Sequence, residues 1–141
     1  WVGLDVSEEQ VDHNRAQAGR LTSGAEFFTH PCHELLGQAD CVGVLDSLEH
    51  TVHPGAMLDA AESYLRPGGL VCVSVPEGAW APWEDTAKGV GPGQHVAVES
   101  RDTLTARLAP RGTILYLDSV PGPNVHEANA SLLAAYRVKS P

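Results

Sequence analysis

The chain has 141 residues, 43% of them hydrophobic and 19% charged, which suits a globular domain large enough to bury a core. Its net charge of −9 argues against a nucleic-acid partner and against an anionic membrane surface, because both call for a basic face. No apolar run approaches the roughly 20 residues needed to span a bilayer.

In chain order, Val2–Val6 reads as a first strand, and Ser7 caps the helix that follows, with Gln10 three positions on to complete a capping box. Val11, Ala16 and Ala18 give that helix a modest apolar face, and Gly19 is expected to end it. Ala25–Thr29 forms a second strand, and Pro31–Gln38 a short irregular connection. Ala39–Leu45, almost continuously apolar after Asp40, is a third strand. Pro54 opens a helix at its tolerated first position, with Met57, Leu58, Ala61 and Leu65 on one face. Pro67 and Gly68-Gly69 stop that helix and reverse the chain into Leu70–Val75, an unbroken apolar strand. Gly78–Gln94 is rich in Gly and Pro, carries Trp80 and Trp83, and reads as a long functional loop or lid. Ser100 caps a helix with Leu104 and Leu108 on one side, and Thr113–Asp118 and Ser131–Val138 are the last strands.

Strands alternating with helices predict an α/β fold built on a mostly parallel sheet with right-handed crossovers. The last two strands have no long helix between them and are expected to pair antiparallel at one edge. The continuous apolar runs predict that Val2–Val6, Ala39–Leu45 and Leu70–Val75 are all inner strands.

The three cysteines, Cys32, Cys41 and Cys72, are an odd number, and Cys41 and Cys72 lie in apolar strand-like runs as expected buried thiols. No disulfide framework is expected, and the chain reads as cytoplasmic. Asp5, Glu8 and Glu9 stand where a signal peptide would be basic and then apolar. The cluster His30-Pro31-Cys32-His33 is the most metal-like in the chain, but it lacks a second matched pair of ligands, so no metal is expected. His50 and His53 are candidates for a general base, and Trp80 and Trp83 for an aromatic wall over a substrate or a packed surface cluster.

Leu48-Glu49-His50, followed by Leu65-Arg66-Pro67-Gly68-Gly69-Leu70 and the strand Val71–Val75, resembles the corresponding segment of class I S-adenosylmethionine-dependent methyltransferases. His95-Val96, Ser100, Leu104 and Gly112 resemble a later pattern of the small-molecule members of that family. The resemblance implies a Rossmann-like methyltransferase fold whose sixth and seventh strands pair antiparallel at one edge. It implies an enzyme using S-adenosylmethionine on a small-molecule acceptor.

In that resemblance Asp5 matches the acidic residue that holds the cofactor ribose, a role suited to a carboxylate able to accept two hydrogen bonds from a diol. Val6 stands beside it, Cys32 and His33 fall near the adenine, and Asp46 and Ser47 fall on the cofactor side of the reaction centre. Glu49, Trp80, Trp83 and His95 would shape the acceptor pocket, with His50 as the catalytic base. The family's first strand and Gly-rich loop would precede Trp1, and Gly19, Gly24 and Gly37 do not replace them. The expectation is therefore one N-terminally incomplete domain over 1–141 that binds the cofactor weakly or not at all by itself. The missing central strand is accounted for by a fragment of a longer chain, by re-paired strands, or by another protomer in a homo-oligomer. The alternative function is a non-enzymatic methyltransferase-like binding or scaffolding domain that has lost the cofactor.

Overall fold

The computed structural model describes residues 1–21, 24–77, 99–121 and 130–139. The chain divides into two compact units, Trp1–Leu35 and Leu36–Pro141.

The first unit holds β1 (Val2–Leu4), α1 (Glu8–Leu21), β2 (Glu26–Phe28) and a 3-10 turn at His33–Leu35. β1 and β2 are parallel, with Val2 opposite Glu26 and Leu4 opposite Phe28. β1 ends two residues earlier than expected because the Asp5 carboxylate turns back to accept the Ser7 N–H at 2.8 Å. Ser7 Oγ accepts the Gln10 N–H at 3.2 Å, which is half of the expected capping box. The other half is missing because the Gln10 amide donates to Asn14 instead, while Asp5 takes the Ser7 donor. The expected stop at Gly19 is also corrected: α1 runs through it to Leu21. A glycine weakens a helix interior by about 1 kcal/mol without ending it. Beyond α1 the chain takes a positive φ of 65° at Gly24.

The second unit holds β3 (Ala39–Leu45), a 3-10 turn at Leu48–His50, α2 (Pro54–Ser63), β4 (Leu65–Pro76), α3 (Arg101–Leu108), β5 (Gly112–Pro121) and β6 (Ala130–Val138). Its four strands run in the order β3-β4-β6-β5. β3 and β4 are parallel, whereas β6 is antiparallel to both β4 and β5. The expected antiparallel pair at one edge is therefore present, joined to parallel pairing of β1 with β2 and of β3 with β4.

Among the described residues, one of the three predicted inner strands has neighbours on both sides. β4 lies between β3 and β6, β3 is the edge of the described four-stranded sheet, and β1 belongs to a two-stranded one. Apolar continuity reports what covers a strand's faces, not how many neighbours pair with its edges. In β3, Val44 is buried and Val42 half-buried, whereas Cys41, Gly43 and Leu45 on the opposite face are exposed.

The Pro-Gly-Gly segment also differs from expectation. α2 ends at Ser63, and Leu65 already pairs with Ala39. The register then slips until Cys41 meets Leu70, so Arg66–Gly69 forms an irregularity inside one long strand rather than a helix-to-strand reversal. Gly68 has a φ of 76°, open to glycine at no steric cost. A Cβ on Gly69 would lie 2.9 Å from Leu65 Cδ2 and 3.0 Å from the Arg66 carbonyl oxygen, so no side chain fits there.

Pro54 sits in the first turn of α2, and Leu58 and Ala61 are buried. Ser100 and Thr103 form a complete capping box at α3, whose Leu104 and Leu108 are fully buried. These helices cover one face of the sheet, where Val71, Val73 and Val75 of β4 meet Leu132, Ala134 and Tyr136 of β6 in a single cluster. The polar tip of Tyr136 is satisfied: its hydroxyl donates to Glu62 at 2.6 Å. Arg111 joins Glu62 to Asp59 and to the Gly55 carbonyl. Among the described residues no helix is long and apolar enough to cross a membrane.

Candidate functional site

Every site residue that the structure describes follows the carboxyl end of a parallel strand. Asp5 and Val6 follow β1, Cys32 and His33 follow β2, and Asp46, Ser47, Glu49 and His50 follow β3. Ligands of open α/β sheets bind beyond these ends. Trp80, Trp83 and His95 lie outside the described residues.

In the first unit, the Asp5 N–H donates to the Phe28 carbonyl at 3.1 Å, which sets Asp5 at the same end as the chain leaving β2. Only one oxygen of the Asp5 carboxylate is engaged among the described residues, by the Ser7 N–H. Val6 is 98% exposed. Beyond β2, Phe28 and His30 stack edge to face at 5.8 Å, Cys32 is buried, and His33 opens the 3-10 turn from an exposed position.

The second unit holds the denser constellation. Asp46 has a φ of 45°, a left-handed conformation that Asp tolerates better than most residues. Ser74 of β4 pins it there. The Asp46 N–H donates to the Ser74 carbonyl at 2.9 Å and also contacts Ser74 Oγ at 3.2 Å. Ser74 Oγ in turn donates to Asp46 Oδ1 at 2.9 Å. Ser47 Oγ donates to the Leu45 carbonyl at 2.8 Å, and the chain then winds through the 3-10 turn, with His50 N–H on the Ser47 carbonyl. Ser74 was not among the residues expected at the site. Its signal is that it is the one hydroxyl in the apolar run Leu70–Val75.

The turn buries Leu48 completely and Glu49 to 2% exposure while leaving His50 exposed. Glu49 Oε1 is 3.9 Å from His50 Nε2, and Glu49 Oε2 has no hydrogen-bond partner among the described residues. Burial pushes the Glu49 carboxyl above its usual range, opposed by a backbone hydrogen bond and by His50, with Asp46 reinforcing the rise. A half-satisfied buried carboxylate is costly to the fold, and such groups concentrate where a ligand completes them. His53 stands at the entry of α2, its N–H bonded to Thr51 Oγ1, apart from this chemistry.

Among the described residues no group of three or more His, Cys, Asp or Glu side chains is arranged to hold a metal.

A methyltransferase-domain family model matches residues 1–116. Among solved structures, the chain is similar to the cyclase SpnF, with 16% identity and a TM-score of 0.72 over 99% of this chain and 66% of that one. It is similar to the Burkholderia thailandensis 1,6-didemethyltoxoflavin-N1-methyltransferase, solved with its 1,6-didemethyltoxoflavin and S-adenosylhomocysteine. That likeness is 22% identity and a TM-score of 0.70 over 99% of this chain and 61% of the other. The magnesium protoporphyrin IX methyltransferase of Synechocystis PCC 6803, solved with S-adenosylhomocysteine, gives 19%, 0.69, 99% and 64% in the same order. The chain thus spans less than two thirds of the length of each of these three. No curated protein sequence matches it. With the family model covering most of the chain and the fold shared by these structures, the chain belongs to the class I S-adenosylmethionine-dependent methyltransferase family.

Proposed function

We propose that the protein transfers the methyl group of S-adenosylmethionine to a small-molecule acceptor, with the Asp46–His50 turn lining the reaction centre. The observation that carries this reading is the turn itself: a strained loop at the carboxyl end of β3, clamped by Ser74 and holding a buried, half-satisfied Glu49 beside an exposed His50.

The residues present fit the cofactor. A carboxylate offers about four lone-pair sites, and the Ser7 N–H uses one side of Asp5, so Asp5 retains capacity for both ribose hydroxyls. On the family resemblance, Val6 would flank the ribose, Cys32 and His33 would lie near the adenine, and Asp46 and Ser47 would serve the methionine portion. When bound, the cofactor's sulfonium supplies an activated methyl group.

The chain's own residues then orient the acceptor and manage its proton. Transfer to an oxygen or nitrogen nucleophile rests first on alignment and exclusion of water. His50 accepts the proton of the acceptor, and Glu49, facing it across 3.9 Å, favours the imidazolium that results. Glu49 Oε2 accepts a hydrogen bond from the acceptor, which completes the buried carboxylate.

Release of S-adenosylhomocysteine is the assay, run with millimolar S-adenosylmethionine and a panel of small phenols, amines and carboxylic acids. The expected result is turnover with at least one class, and a loss of about 100-fold in kcat in His50→Gln without a change in cofactor affinity. Absence of product with every class would overturn the reading. Turnover by His50→Gln within about twofold of the unmodified protein would remove His50 as the base.

A further inference from the structure

Cys41 and Cys72 are expected from the sequence to be buried thiols, and the structure corrects that expectation. Cys41 is exposed and Cys72 only half-buried, and all three cysteines are free. The register sets Cys41 opposite Leu70 and Gly43 opposite Cys72, so the two cysteines are diagonal neighbours on adjacent parallel strands. Both belong to the face that alternation turns away from the buried Val71 and Val73. Their Sγ atoms are 3.7 Å apart, a van der Waals contact.

A disulfide requires the sulfurs to approach to about 2.05 Å. Three local features allow that approach. Cys41 directly follows the register slip between Ala39 and Cys41, where the ladder is already irregular. β3 is paired along one edge only among the described residues. The residue directly opposite Cys72 is Gly43, so no side chain stands across from it.

We propose that Cys41 and Cys72 form a peroxide-responsive dithiol that closes to an intrachain disulfide between β3 and β4. Cys41, the more exposed of the two, attacks hydrogen peroxide as its thiolate. An S–O bond forms, the O–O bond breaks, and the departing hydroxide takes up a proton to become water. The Cys72 sulfur then attacks the resulting sulfenic acid, forming the S–S bond and releasing a second water. Two thiols lose two electrons and two protons, and one peroxide becomes two waters. The bridge ties together the two strands that carry Ser74 and lead into Asp46.

Desolvation raises the Cys41 thiol above its ordinary value, with Cys72 and Asp40 adding to the effect, so the test is run near about pH 9. The protein is treated with hydrogen peroxide, its remaining thiols are alkylated, and its intact mass and peptides are measured. The expected product has lost about 2 Da, retains one alkylated cysteine (Cys32), links the Cys41 and Cys72 peptides, and reverts with dithiothreitol. Cys41→Ser and Cys72→Ser abolish the link. Cys32→Ser, which leaves the pair intact, retains it and guards against misfolding of the other two variants. In concentrated urea the link forms at least about tenfold more slowly, because the fold supplies the proximity. Three alkylated thiols, oxidation of Cys41 without a link, a link involving Cys32, or equal rates in urea would each overturn the proposal.

Discussion

The two units use the same alternation of strand and helix, yet they are built on very different cores. In Leu36–Pro141 thirteen buried apolar residues from both faces of the helix–sheet contact form one cluster. Among the described residues of Trp1–Leu35 the buried apolar side chains are Val11 and Cys32, both strands are three residues long, and Trp1, Val2, Leu4 and Val6 are exposed. The difference separates the residues proposed to bind the cofactor. Asp46 and Ser47 follow a strand anchored in the large core, whereas Asp5 follows a strand whose apolar side chains face solvent. Local stability follows buried apolar contact, so amides of β4 and β6 are expected to resist hydrogen exchange far longer than those of β1.

The largest effect that sharpens this contrast is truncation of the core. Leu132→Ala, at a fully buried position of β6, is expected to cost about 2–5 kcal/mol in urea denaturation. Val2→Ala, at an exposed position of β1, is expected to stay within about 0.5 kcal/mol. Similar losses at both positions would erase the contrast.

Glu49→Gln has a smaller effect of opposite sign. Burial raises the Glu49 carboxyl in the native state, so the native protein binds a proton that the unfolded chain has already released. Stability therefore falls as pH rises from the ordinary carboxylate range through the raised native value. A glutamine has no such proton to lose. The variant is expected to be more stable at neutral pH by about 1–3 kcal/mol, with the difference closing below about pH 4. Higher stability with slower turnover would mark Glu49 as a strained functional group; lower stability at neutral pH would contradict the burial argument.

Smaller still is Ser74→Ala. It removes both side-chain bonds to Asp46 and leaves only the backbone bond, for an expected loss of about 1 kcal/mol together with weaker cofactor binding. An unchanged affinity would detach the Asp46 conformation from the site.

What could be read from the sequence was local and periodic. The Ser100 cap, the Pro54 entry, the apolar β4 and the antiparallel closing pair each rest on a few neighbouring residues, and each is present. What could not be read depends on pairings across the chain. The grip of Ser74 on Asp46 across 28 positions and the contact of Cys41 with Cys72 both follow from register. The continuous apolar run of Ala39–Leu45 could not distinguish an edge strand from an inner one, because pairing involves the backbone, which is alike in every residue but proline. For the candidate site, the residues after β3 were recognisable as a motif, but neither the burial of Glu49 nor the positive φ of Asp46 was.

The claim that Asp5 and the Asp46–His50 turn serve one cofactor is tested most directly by titrating the isotopically labelled protein with S-adenosylhomocysteine and following backbone amide resonances. Nuclear magnetic resonance detects binding even at millimolar affinity. Shifts at Asp5–Ser7 and at Asp46–His50 that saturate together, and that weaken together in Asp5→Ala, are the predicted result. Shifts confined to one of the two segments, or an Asp5→Ala titration indistinguishable from that of the unmodified protein, would contradict it.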